Sequence, residues 1–251
     1  MSVWGKIIGG TTGFALGGPI GALLGAIAGH GIDAAKIKKT SYRKESITNE
    51  GSEQIFATGV IALAAKLSKI DGSVTRDEIA TFKKIFEFPN SDIKVISQLF
   101  NSAKEDVYDY QSYARQLRSH FSEQKVLEEI LNALFAIAYA DKVLHENEER
   151  MLIEISKIFG VDKKNYDRLK SVHENKNFSS NHEKLKRCYN LLGVEETDSL
   201  ESIKKKYREI IKNYHPDKIQ GKGLPKDFVD FANKKLTDFN EAYNEIKKSK
   251  K

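Results

Sequence analysis

One cysteine, Cys188, stands in a chain of 251 residues, so neither an internal disulfide nor a cysteine-cluster zinc site can form. So little cysteine favours a reducing compartment for the bulk of the chain. Charge is missing altogether from Ile7 to Gly29, acid is missing from residues 36–44, and strand-type alternation is missing from the middle of the chain. These gaps divide a length that is too great for one small domain but fits two, plus an anchor or linker. The net charge of +6 would suit a polyanionic partner if it were spread evenly. However, residues 45–182 carry 18 bases against 22 acids and residues 183–251 carry 17 against 12. An acidic block between two basic ones argues against a nucleic-acid binder. With 40% hydrophobic and 30% charged residues, the chain has the means to bury a core.

The uncharged run of 23 residues is long enough for a helix to cross the roughly 30 Å hydrocarbon layer at about 1.5 Å per residue. Within it Gly9, Gly13, Gly17, Gly21, Gly25 and Gly29 recur every fourth residue, along one helix face, where a second backbone can approach closely. The expectation is a single span that dimerises through this ladder. Lys36, Lys38, Lys39, Arg43 and Lys44 follow at once and resist translocation, which places the short N-terminus outside and the rest in the cytoplasm. Two other readings stay open. Ala26 and Ala28 could end a cleaved leader, and the eight glycines with Pro19 could form a soluble hairpin.

Residues shifted by 70 positions match around a short acidic turn, Ile70 to Glu78 against Ala140 to Glu148. Apolar residues at helical spacing precede each turn (Ile61, Ala64, Ala65, Leu67; Leu131, Leu134, Phe135, Ile137) and follow it (Ile79, Phe82, Ile85, Phe86; Leu152, Ile155, Ile158, Phe159). Each half reads as helix, acidic turn, helix, within an all-α bundle over residues 50–172. Asp71, Glu78, Asp141 and Glu148 are candidate oxygen ligands for a divalent cation. The competing account is structural: Thr75-x-x-Glu78 has the form of a helix capping box, Asp71-Gly72 is turn chemistry, and the further carboxylates of a calcium-binding loop are absent.

From Asp198, a potential cap, the stripe Leu200, Ile203, Tyr207, Ile210 and Tyr214 predicts a helix whose other face carries Lys204, Lys205, Arg208 and Lys212. Pro216 stops it, because proline has no amide donor and pushes its predecessor out of helical geometry. After a loop of about ten residues, a second stripe of Phe228, Phe231, Lys235, Leu236, Phe239, Ala242, Tyr243 and Ile246 predicts a longer helix packed antiparallel on the first. A short helix from Leu185 to Leu192, ended by Gly193, would close the core.

Tyr189-x-Leu191-Leu192-Gly193-Val194, a lysine-rich helix and then Tyr214-His215-Pro216-Asp217-Lys218 resemble the J domain of DnaJ-type proteins. Trp4-Gly5-Lys6-Ile7-Ile8-Gly9, the glycine ladder, Leu144-His145-x-Asn147-Glu148 and Lys222-Gly223-Leu224-Pro225 extend the likeness to the DjlA family of membrane-anchored co-chaperones, whose middle domain resembles the TerB-like family. The short, charged linker at 173–183 departs from the Gly-rich stretch expected there. The resemblance implies an all-α protein: an anchor (1–35), a basic juxtamembrane linker (36–49), the bundle (50–172), a linker (173–183) and a J domain (184–251).

It further implies a co-chaperone, not an enzyme and without a cofactor, that stimulates the ATPase of a DnaK-type chaperone at the bacterial inner membrane, in folding or envelope-stress signalling. Docking would use His215, Pro216, Asp217 and Lys218 with Lys204, Lys205, Arg208 and Lys212. No client-binding module is evident after the J domain, so client choice falls to location, the bundle or dimerisation. The alternative is an envelope-stress adaptor that acts mainly through the bundle.

Overall fold

The computed structural model describes residues 17–29, 49–72, 74–86, 93–174, 180–213, 224 and 226–250. Among these residues there is no strand. The helices are α1 (Gly18–Gly29), α2 (Asn49–Lys69), α3 (Arg76–Phe86), α4 (Ile93–Ala103), α5 (Tyr110–His120), α6 (Gln124–Ala138), α7 (Glu146–Phe159), α8 (Lys163–Glu174), α9 (Asn181–Leu192), α10 (Leu200–Asn213) and α11 (Lys226–Ser249).

Two of them are apolar around most of their circumference and occupy the centre of the bundle, as such a pattern requires. In α2 the residues from Ile55 to Leu67 are buried almost without exception, and in α6 burial runs from Val126 to Ala138. The amphipathic helices α3, α4, α5, α7 and α8 lay their apolar stripes around this pair.

The duplication expected from the 70-residue shift is visible in the backbone. Helices α3 and α7 begin 70 residues apart, at Arg76 and Glu146. The left-handed turn residues are also 70 apart, Gly72 at φ 103° and Lys142 at φ 74°. Their amides donate to equivalent carbonyls, Gly72 N to Lys69 O at 2.8 Å and Lys142 N to Tyr139 O at 3.1 Å. Glycine adopts such a φ freely, whereas Lys142 does so at a steric cost. In the second copy the Asp141 carboxylate braces the turn by accepting from the Val143 amide at 3.0 Å.

One buried cation holds the loop between α4 and α5. Lys66, with 1% of its surface exposed, donates to the Ala103 carbonyl at 2.8 Å, pairs with Asp109 and lies 4.7 Å above the Tyr113 ring. A buried ammonium is tolerable only with this density of partners.

The expected span over 7–29 is helical, within the described residues, only from Gly18 to Gly29. At about 18 Å this helix is shorter than the hydrocarbon layer. Among the described residues no helix is long and apolar enough to cross a membrane. Instead α1 lies against α2, α4 and α5, with Ile20, Leu23 and Leu24 inside the bundle core. Gly9 and Gly13 lie outside the described residues. Gly21 and Gly25 are buried on the face toward the bundle, Gly17 immediately precedes the helix and Gly29 ends it.

Candidate functional site

The second core belongs to the C-terminal hairpin. Ile203, Phe239, Ala242 and Ile246 of α10 and α11 close on Cys188, Tyr189, Leu191 and Leu192 of α9. Helix α9 starts earlier than expected, because Ser180 and Glu183 form a reciprocal capping box, with Glu183 N donating to Ser180 Oγ at 3.2 Å. Gly193 ends it at φ 64°, as anticipated. The cap of α10 is Ser199, whose hydroxyl accepts from Ser202 N at 3.2 Å, and not Asp198. Asp198 closes the preceding turn by accepting from Glu195 N at 2.9 Å. Lys250 ties the chain's end to that turn through the Glu196 and Asp198 carbonyls, at 2.8 and 2.9 Å.

Helix α10 is thereby fixed by its apolar side. Ile203 is fully buried, and Tyr207 stacks on Tyr243 at 4.3 Å between ring centroids while its hydroxyl donates to Asn240 at 2.7 Å. The other side presents Lys204, Lys205, Arg208 and Lys212 to solvent, all four exposed. Four cations on one rigid face raise the local potential for an acidic partner. The helix ends at Asn213, and His215, Pro216, Asp217 and Lys218 lie outside the described residues, as do the Tyr214 and Phe228 side chains.

The hairpin is seated on the bundle. Val172 of α8 enters the hairpin core, and Leu224 and Val229 enter the bundle core. Arg168 donates to the Leu191 carbonyl at 3.4 Å, and Asn190 donates to the Ser171 hydroxyl at 3.0 Å. Leu224 entered the sequence reading only as part of the Lys222-to-Pro225 motif, and Val229 was not singled out. Val229 lies beside the Phe228 position of the second stripe, and only its place in the bundle core reveals its role.

The acidic turns serve as helix caps. The Glu78 carboxylate accepts from Thr75 N at 2.7 Å and from its hydroxyl at 2.8 Å, while Glu78 N donates to Thr75 Oγ1 at 3.2 Å. The Glu148 carboxylate accepts from His145 N at 3.0 Å in the equivalent box. Burial pushes the Glu148 carboxyl up to about 8, against the lowering effect of the His145 amide and with help from the charges of Glu78, Asp71 and Asp141. Among the described residues no group of three or more His, Cys, Asp or Glu side chains is placed to hold a metal.

Three family models tile the chain in order. Residues 1–44 match the transmembrane domain of co-chaperone DjlA, residues 57–171 match tellurite resistance protein TerB, and residues 187–251 match the DnaJ domain. The fold and the C-terminal hairpin thus define a J-domain protein. Similarity to "Co-chaperone protein DjlA" runs end to end. The identity is 29% over 271 residues for Salmonella typhimurium and 28% over 272 for Escherichia coli K12, each covering 100% of this chain and 99% of the relative. For Photobacterium profundum it is 28% over 277 residues, with 99% of each chain covered. No solved structure matches the chain. The chain is a J-domain co-chaperone similar to DjlA along its whole length, associated with the inner membrane and partnered with a DnaK-type chaperone.

Proposed function

We propose that the loop His215-Pro216-Asp217 triggers ATP hydrolysis in a DnaK-type chaperone that has docked on the basic face of α10. The observation that carries this reading is the exposed row Lys204, Lys205, Arg208 and Lys212, on a helix locked by Ile203 and Tyr207 that ends at Asn213, just before His215 in sequence. The row steers an acidic patch into register, and a rigid helix loses little entropy on docking. In the loop, Pro216 restricts the backbone, Asp217 offers a carboxylate for a charge-assisted pair with a partner arginine, His215 supplies a hydrogen bond and Lys218 adds a further cation. Bond cleavage belongs to the partner's ATPase, and this chain needs no cofactor of its own.

The finer placement follows from charge. With Lys36, Lys38, Lys39, Arg43 and Lys44 retained in the cytoplasm, a single span would leave a short periplasmic N-terminus and hold bundle and J domain at the inner face. In the bilayer, the ladder Gly9 to Gly29 would pair two copies by close backbone approach.

The test is a steady-state ATPase assay with the full-length chain. The wild type should stimulate a DnaK-type ATPase, and His215→Gln should reduce the rate to that of the chaperone alone. Equal stimulation by both chains would remove the loop from the mechanism. Reversing Lys205 and Arg208 to Glu should raise the half-saturating concentration by about tenfold, with the effect shrinking as salt is added.

A further inference from the structure

Helix α1 occupies a groove with features that select its occupant. Gly59 of α2 forms part of the floor. A Cβ there would lie 2.8 Å from Leu117 Cδ2 and 3.0 Å from Ile20 Cδ1, so the absence of a side chain admits Ile20. Gln116 of α5 reads the backbone at the helix start, accepting from Ile20 N at 3.0 Å and donating to Gly17 O at 3.0 Å. It thereby satisfies one amide that the first turn leaves without an intrahelical partner. Pro19 lacks an amide there at no cost. Along the occupant, Gly21 and Gly25 bring its backbone close to the bundle, while Ile20, Leu23 and Leu24 fill the space. The groove therefore accepts an apolar helix with small residues four apart.

That description is also the description of a membrane span, and α1 lies within the 44 residues that match a transmembrane domain. One helix cannot occupy the bilayer and the groove at once. Between Gly29 and Asn49 lie 19 residues, which can span at most about 65 Å, so the helix can reach either place without unfolding the bundle. When α1 is in the membrane, the Gly59, Leu117 and Gln116 surface is uncovered, with an apolar face and a backbone-reading amide beside the bilayer. Exposed apolar area costs roughly 25 cal/mol per Å², which favours any replacement of matching shape.

We propose that the groove between α2, α4 and α5 is a receptor for glycine-containing apolar helices of membrane-protein clients, and that α1 is its resident occupant until residues 1–44 enter a bilayer. The proposal rests on the membrane association stated above, and it assigns client choice to the bundle. The face of α1 that a membrane dimer would use is the face the groove covers, so dimerisation in the bilayer and groove occupancy by α1 exclude each other.

The experiment uses the full-length chain reconstituted in phosphatidylethanolamine–phosphatidylglycerol vesicles. The probe is a synthetic peptide of residues 14–32 with a photoreactive leucine at position 23. Insertion is read separately, by resistance to carbonate extraction. The expected result is crosslinking to α2, α4 and α5, located by mass spectrometry. Gly59→Leu should abolish it. Gln116→Ala, which adds no volume, should weaken it roughly tenfold through the loss of two hydrogen bonds. Crosslinking that is unchanged in Gln116→Ala, that maps elsewhere or that is absent from an inserted wild-type chain overturns the receptor. Groove crosslinks that come from the α1 of a second, isotope-labelled copy in preference to the peptide overturn the choice of occupant. A chain released by carbonate overturns the membrane reading alone.

Discussion

The bundle and the J domain bury their helices to different degrees. In the bundle, α2 and α6 are enclosed on nearly every side, and the polar groups carried inward, among them Lys66, Glu128, Glu129 and Asn132, have to be accommodated in the interior. Asn132, for example, lies 2.9 Å from His173 and 3.2 Å from Glu129. In the J domain each helix keeps a solvent face, and one of these, on α10, is a row of cations. Enclosure suits a scaffold or receptor whose specificity lies in shape. An open charged face suits a partner that must be met quickly and released. The two regions share a seam, where Val172 packs into one core and Leu224 and Val229 into the other.

Removing the buried cation attacks the enclosed region most directly. Lys66→Ala leaves the Ala103 carbonyl and the Asp109 carboxylate without their partner, and it should destabilise the bundle by about 3–5 kcal/mol in urea titrations. A loss below 1 kcal/mol would mean that water replaces the ammonium and that the enclosure is looser than described.

The seam is the next test. Val229→Asp places a carboxylate among bundle hydrophobes and should separate the two cores, turning one calorimetric transition into two at a cost of about 2–3 kcal/mol. A single unshifted transition would show that the domains already unfold independently.

The third test concerns the repeat. The Glu148 carboxyl titrates near 8 in the folded state but in the ordinary acidic range when unfolded, so the native state binds the extra proton between these values. Stability is fully present below the unfolded range and falls as pH rises toward 8. Glu148→Gln keeps an acceptor for the His145 amide and removes the titration. It should raise stability at pH 8.5 and leave it unchanged at pH 4, as measured by thermal melts. A pH-independent difference would place the cause in packing.

Much of this architecture was legible in the primary structure, for reasons that can be named. The duplicated turns were readable because capping and left-handed turns need specific residues at fixed short offsets, as in Thr75-x-x-Glu78 and Asp71-Gly72. The left-handed backbone at Lys142 was not readable, since lysine carries no turn signal and only the folded chain shows its positive φ. The basic face of α10 followed from its 3.6-residue period. The J-domain motif was likewise plain as a string of residues, although the placement of its loop lies outside the described residues.

The N-terminal helix marks the boundary most clearly. From sequence, a charge-free run with a glycine ladder favours a helix that leaves water and approaches another backbone closely. It cannot determine which backbone, because lipid, a second copy and the bundle all offer an apolar surface. Tertiary structure supplied that decision through residues far away in the chain, Gly59 with no side chain and Gln116 with an amide at the right height. Local pattern reports what a segment requires of its surroundings, and only the folded chain contains the surface that meets the requirement.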